Sequence, residues 1–193
     1  HALLSAVLKS AVDEGFRTDN PAYKMRMTRG VKRENVFLTP TEFSTLLHFI
    51  PERYRRMVLF LAGTGLRWGE MSALTWADVN LHGNPPTVRV TRAWKKAKGA
   101  PILSYPKSSK SRRSVSLFPD LVAIMGEPGA SDDWVFPAPQ GGHMWHGAFY
   151  TRIWRTAVLK ASDPETCRSL GLEPLRREPT VHDMRHTHAS WLI

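Results

Sequence analysis

Thr87-Val88-Arg89-Val90-Thr91-Arg92 alternates apolar and polar side chains, the period of a strand with one buried face. The pattern on either side of it is different. Upstream, Thr39 is placed to cap a helix, Pro40 suits its first position and Glu42 completes a capping box. Phe43, Leu46, Leu47 and Ile50 then recur at helical spacing. A second helix is expected from about Glu52 to Ala62, interrupted by Gly63 and Gly65, and a third from Arg67 through Leu74. Downstream, Ile102 to Tyr105 and Ser114 to Leu117 read as further short strands, and Pro106 to Arg113 as the hairpin turn joining them. Helices return at Leu121 to Met125 and Trp145 to Lys160. Phe149, Ile153 and Ala157 mark the buried side of the latter, with Arg152 and Arg155 off it. Thr180, with Asp183 three residues on, starts a last helix. Helices, then a small antiparallel sheet, then helices make the expected class α+β, mainly helical.

The N-terminal stretch is a separate piece. Ala2 to Gly15 has helical periodicity, Asn20-Pro21 breaks it, and a basic run follows to Arg33. The expected organisation is a helix within 1–20, a basic linker over 21–35 and one domain over 36–193. His1 opens, and Ile193 closes, a helical pattern, so both ends read as cuts in a longer chain.

Charge narrows the function. The 193 residues carry 27 Lys and Arg against 17 Asp and Glu, a net charge of +10. The excess is clustered. Val79 to Pro119 holds no acid but Arg89, Arg92, Lys95, Lys96, Lys98, Lys107, Lys110, Arg112 and Arg113, and Asn20 to Arg33 is a second acid-free basic run. Clustered cations favour a polyanion through counterion release, although a solvated basic face has the same composition. No apolar run is long enough to cross a bilayer, so no membrane partner is expected. The single cysteine, Cys167, excludes an intrachain disulfide and fits a reducing cytoplasm.

Three places have the residue types that chemistry needs. Arg67 stands among glycines and apolar residues in Thr64-Gly65-Leu66-Arg67-Trp68-Gly69-Glu70, where a permanent cation requires an anion; a structural pair with Glu70 would satisfy it equally. These glycines do not form a P-loop, since no Gly-Lys-Ser/Thr follows. In Val181-His182-Asp183-Met184-Arg185-His186-Thr187-His188, a helix puts His182 and Arg185 on one face, a proton exchanger beside a two-pronged phosphate binder. His182 and His186 are also spaced as metal ligands, but no Glu follows His182 as in a zincin helix and no Cys or carboxylate cluster offers the remaining ligands, so no metal is expected; a structural His-rich helix stays open. Third, Pro106-Lys107-Ser108-Ser109-Lys110-Ser111-Arg112-Arg113 offers a lysine as an acid to a leaving oxygen, or a backbone clamp, or a plain turn.

In this order the three segments resemble the tyrosine recombinases of the phage integrase family, over about Phe37 to Ile193. The resemblance implies that the first helix ends a core-binding domain and that 36–193 is the catalytic domain. It implies Arg67, His182 and Arg185 as catalytic residues. Lys107 is implied as the hairpin lysine, with Lys110 as the alternative. Glu70 and His186 are implied as supporting residues. Lys95, Lys96, Lys98, Lys110, Arg112, Arg113, Arg152 and Arg155 are the candidate DNA contacts. The implied activity is site-specific recombination of double-stranded DNA at attachment sites, as in integration of a phage or other mobile element, through a 3′-phosphotyrosine and without cofactor or metal. The implied setting is the bacterial host's cytoplasm or nucleoid, with a tetramer on DNA when full length and a monomer for this fragment alone. A type IB topoisomerase shares the chemistry, and a non-catalytic DNA-binding descendant would share the sequence. The family's tyrosine follows the His-x-x-Arg helix, whereas Tyr23, Tyr54, Tyr105 and Tyr150 all precede it. These residues alone are therefore expected to bind DNA without cleaving it.

Overall fold

The computed structural model describes residues 1–26, 34–105 and 112–192. The chain divides into two compact units, His1–Glu34 and Asn35–Ile193.

In the first unit, helix α1 (Ala2–Asp13) ends ahead of Gly15, which takes the left-handed conformation (φ 78°) that a helix stop favours. Asn20 ties the following loop back to the helix, donating to the Ser5 carbonyl at 2.9 Å and accepting from the Ala22 N–H at 3.0 Å.

The second unit is helices around a small sheet. Helix α2 (Pro40–Phe49) begins as its sequence dictates: the Thr39 N–H donates to Glu42 at 2.9 Å, and the Glu42 N–H donates to the Thr39 hydroxyl at 3.1 Å. Helix α3 (Glu52–Thr64) is the axis of the core, with Met57, Val58, Phe60 and Leu61 fully buried. Gly63 lies inside α3 and does not interrupt it. A Cβ there would come within 2.6 Å of Leu121, so the missing side chain lets helix α5 (Pro119–Met125) close on α3. The break is Gly65, at φ 61°.

The helix expected over 67–74 is one turn, α4 (Trp68–Met71). The next carbonyls are used elsewhere: Ala73 accepts from Arg92 at 2.9 Å and Leu74 from the Val135 N–H at 3.0 Å. Strands β1 (Val79–Asn80), β2 (Thr87–Val90) and β5 (Arg113–Ser116) form an antiparallel sheet in the order β1-β2-β5, and β3 (Ala93–Lys95) pairs with β4 (Ile102–Ser104) in a second. Two expectations change here. β2 stops at Val90 because Thr91 and Arg92 turn their side chains onto buried Asp78, at 3.1 and 2.7 Å. The strands expected to flank a hairpin do not pair with each other. β5 sets Val115 opposite core residue Val88, whereas β4, with Ile102 exposed, lies against β3. The turn itself, including Lys107 and Lys110, is outside the described residues.

Helices α6 (His146–Phe149) and α7 (Arg155–Ser162) are joined without a break by a wide π-type turn at Tyr150–Trp154. The turn shifts the buried face by one residue. Trp154 therefore enters the core at 1% exposure and donates its indole N–H to the Pro179 carbonyl at 2.9 Å, while Ile153, expected inside, is only half-buried. The α7 face packs on α2. A short helix, α8 (Pro164–Ser169), capped by Asp163, was not apparent from periodicity. Helix α9 (Asp183–Trp191) completes the unit against α3.

Replacing Trp154 tests this register. Trp154→Ala is expected to cost about 3–5 kcal/mol in urea denaturation of the 193-residue chain. A cost below about 1 kcal/mol, the scale of a surface substitution, would place the ring outside the core.

Candidate functional site

Helix α9 is held by its own first turn and by the chain before α2. Asp183, buried, accepts from both the N–H and the hydroxyl of Thr180 at 2.7 Å, and from the Val36 N–H at 3.4 Å. Thr187 accepts from the Leu38 N–H at 3.2 Å, and Trp191 donates to the Leu38 carbonyl at 3.0 Å. So fixed, α9 points two side chains at the end of α3. Arg185 donates to the Gly65 carbonyl at 2.6 Å, and an imidazole nitrogen of His188 lies 2.9 Å from the Ala62 carbonyl. A helix end has free carbonyls and partial negative charge, which cationic donors satisfy. The fit is close, since a Cβ on Gly65 would be 2.6 Å from the His188 ring.

Arg67 follows two residues after Gly65, as the N-cap of α4. The Arg67 N–H donates to Glu70 at 2.9 Å and its guanidinium reaches the same carboxylate at 3.3 Å, leaving the side chain 60% exposed. Glu70 is buried and has a stronger partner. Arg113, from β5, clasps it with two nitrogens at 2.8 and 3.0 Å. Burial by itself raises the Glu70 carboxyl pKa. The Arg113 hydrogen bonds, the Arg67 N–H and the two guanidinium charges outweigh that and hold it below the usual carboxylate value.

His182 is exposed, immediately ahead of α9. Its ring stands edge-on to His186 at 5.2 Å, and His186 meets Phe37 edge-on at 6.1 Å. Arg185 is thus brought to the loop that leads into Arg67, Glu70 pairs with both Arg67 and Arg113, and His182 lies three residues before Arg185. A cluster of guanidinium groups not fully neutralised by acids can bind a phosphate through two-pronged hydrogen bonds, with an imidazole at hand for protons. Among the described residues, no group of three or more His, Cys, Asp or Glu side chains is arranged to hold a metal.

The other candidate residues are distributed as follows. Lys95, Lys96, Lys98, Arg112, Arg152 and Arg155 are exposed, whereas Arg113 is engaged with Glu70. Lys107 and Lys110 lie outside the described residues. Sequence reasoning missed the Arg113–Glu70 clasp, although Arg113 shares a strand face with Val115 and so is directed inward. It also missed His188 and the Arg92–Asp78 pair at 2.7 Å.

A mainly helical α+β domain with a small antiparallel sheet is the fold of a tyrosine recombinase catalytic domain. The sequence pattern of the phage integrase family matches residues 36–193, and the chain belongs to that family. The ICEBs1 integrase of Bacillus subtilis is 26% identical over 98% of this chain and 52% of its own length. Tyrosine recombinase XerD of Pasteurella multocida is 27% identical over 90% of this chain and 57% of its own. The chain spans about half the length of such relatives. The solved Tn1549 transposon integrase in complex with a circular intermediate DNA superposes with a TM-score of 0.75 at 20% identity, over 97% of this chain and 63% of that one.

The Glu70 clasp gives a pH-dependent prediction. A carboxylate whose folded pKa is depressed adds stability that is present above its unfolded value, near 4.5, and lost as pH falls through the folded value. The Tm advantage of the native chain over Glu70→Gln is expected to be fully present above pH 4.5 and to shrink as pH falls below it, through the depressed folded value. A constant difference across that range would mean that Glu70 is not the charged centre of the clasp.

Proposed function

We propose that the whole protein is a site-specific DNA recombinase that cuts and rejoins strands through a 3′-phosphotyrosine, and that residues 35–193 supply its phosphate pocket. The observation that carries this reading is the convergence of Arg67 and Arg185 on the 65–67 loop, Arg185 through the Gly65 carbonyl at 2.6 Å. In the proposed step a tyrosine oxygen bonds to phosphorus and the bond from phosphorus to the 5′-oxygen breaks. Arg67 and Arg185 hold the non-bridging oxygens, where negative charge builds. Lys107 gives a proton to the 5′-oxygen, with Lys110 as the alternative donor, and His182 assists proton movement. Glu70 orients Arg67, and His186 steadies His182 from one turn along α9. The phosphotyrosine conserves the energy of the phosphodiester, so rejoining is the reverse attack and no nucleotide is consumed.

Double-stranded DNA is the proposed partner, gripped by the exposed cations Lys95, Lys96, Lys98, Arg112, Arg152 and Arg155. The full-length protein is proposed to act as a tetramer on DNA, and the 193 residues alone to be monomeric without it. None of the tyrosines here is proposed as the nucleophile. Tyr54 packs edge-on against Phe149, Tyr150 stacks on His146, Tyr105 closes β4 and Tyr23 lies in the first unit. The 193 residues by themselves are thus expected to bind DNA and form no covalent link.

Two measurements test this. Because Arg67 is largely exposed, Arg67→Ala is expected to change stability by no more than about 0.5 kcal/mol while lowering recombination by the full-length protein about 100-fold or more. Arg67→Lys, which keeps the charge and loses the fork, is expected to rescue only part. Retained recombination in Arg67→Ala would reduce the site to DNA binding. For the 193-residue chain, a DNA adduct that survives SDS would overturn the assignment of the tyrosines.

A further inference from the structure

A second concave site adjoins the other side chains of α4, at Trp68 and Gly69. A cavity of about 540 Å³ opens between α4, β3 and the segment 143–147. Its walls are aromatic: Trp68, Trp94, His143, Trp145 and His146. Trp94 lies against His143 at 4.2 Å, tilted by 34°, and Trp145 meets His143 at 5.4 Å. Trp68 stands edge-on to His146 at 5.2 Å. The backbones on its floor are close. A Cβ on Gly69 would collide with the Trp94 carbonyl oxygen, so only glycine admits β3 at this distance from α4.

The rings have more face than the fold needs. Trp145 remains 48% exposed. Three of the wall residues carry a buried ring nitrogen with no hydrogen-bond partner among the described residues: Trp68 Nε1, Trp94 Nε1 and His143 Nδ1. The charged side chains in the lining are Lys95 and Lys96, both exposed, and no carboxylate is among the described lining residues.

We propose that this cavity binds a nucleotide, its base stacked on Trp94, Trp145 and His143 and its phosphate held by Lys95 and Lys96. A nucleobase is flat and offers a π-face to any aromatic ring. Its phosphate supplies the anion that two lysines and no acid select. The volume lies within the range of about 300–1,000 Å³ usual for small-ligand sites. Burial holds the His143 and His146 imidazoles below their ordinary pKa, the Ser72 backbone opposing only part of this at His143. At neutral pH they therefore present uncharged faces for stacking. The nucleotide has two possible sources, free in solution or unstacked from bound DNA. The cavity lining includes none of Arg67, His182 or Arg185, while Lys95 and Lys96 are shared with the proposed DNA contacts.

The probe is 2-aminopurine deoxynucleoside 5′-monophosphate, whose emission is quenched when it stacks. The 193-residue chain is titrated into the free nucleotide, into a duplex carrying the same base as a single-nucleotide bulge, and into a duplex where it is paired. Saturable quenching of the free probe, reversed by dAMP and not by ribose 5-phosphate, would establish a nucleotide site fed from solution. Quenching confined to the bulged duplex would establish one fed from DNA. In either case Trp145→Ala, at a half-exposed position that the fold tolerates, is expected to weaken binding by roughly 5- to 150-fold with an unchanged circular dichroism spectrum. The Lys95→Ala/Lys96→Ala double variant is expected to weaken it further and to flatten its salt dependence. No saturable quenching in any arm would overturn the proposal, as would displacement by ribose 5-phosphate as strong as by dAMP, or native-like binding by Trp145→Ala. Anisotropy of the paired duplex in the same samples reads general DNA binding separately, so a failure of the recombinase reading is distinguishable from a failure of the cavity.

Discussion

The carboxylate of Glu70, buried between Arg113 and Arg67, is the interaction on which the site depends. Arg113 comes from the sheet and Arg67 from the loop before α4, so one acid on α4 reaches a strand residue 43 positions further along the chain. Its depressed pKa keeps it charged at any ordinary pH, and that charge fixes where the Arg67 backbone turns. Arg67 itself is left mostly in solvent. A buried acid that satisfies one arginine fully and a second partially leaves the second with donors to spare, which is what an anion site requires. Had Arg67 been the only partner of Glu70, its guanidinium would have been the compensating charge for a buried carboxylate and less available to a phosphate.

The second constraint is the docking of α9 on the end of α3. Helix ends have carbonyls without intrahelical partners, and here Arg185 and His188 take the partners' place. The same contact that closes the core also carries Arg185 to the loop containing Arg67. Stability and site geometry are thus coupled at Gly65, which has the left-handed backbone the turn needs and no Cβ to obstruct His188. The aromatic cavity has the opposite character: its rings are only partly used by the core, with Trp145 48% exposed, which sets it apart from the packed interior.

Much was legible in order along the chain. The capping box at Thr39 and Glu42 and the alternation at Thr87–Val90 are local signals, because each depends on residues within one turn or one strand of each other, whereas Thr180, expected to cap the last helix, instead donates to Asp183 at the helix start and His182 takes the cap position. Arg67, His182 and Arg185 were singled out as candidates by residue type and short spacing, and their proposed roles came from the family resemblance. The elements misread were those whose limits are set by distant partners. α4 is one turn because the chain past Met71 tightens into i→i+3 turns, and Arg92 and Val135 hold the Ala73 and Leu74 carbonyls there. Trp154 is a core residue because a wide turn shifts the helical register, and no fixed period anticipates that shift.

The sequence by itself determined the α+β class, the basic character and the residue types that meet a phosphate, since these follow from periodicity, charge and motif spacing. The tertiary structure alone decided which strands pair, that Arg113 belongs to Glu70, and that Trp68, Trp94, His143 and Trp145 share one cavity. Those facts depend on side chains brought together from far along the chain. Pattern over a few residues reports which face of an element is buried; what lies against that face is fixed only when the whole core closes.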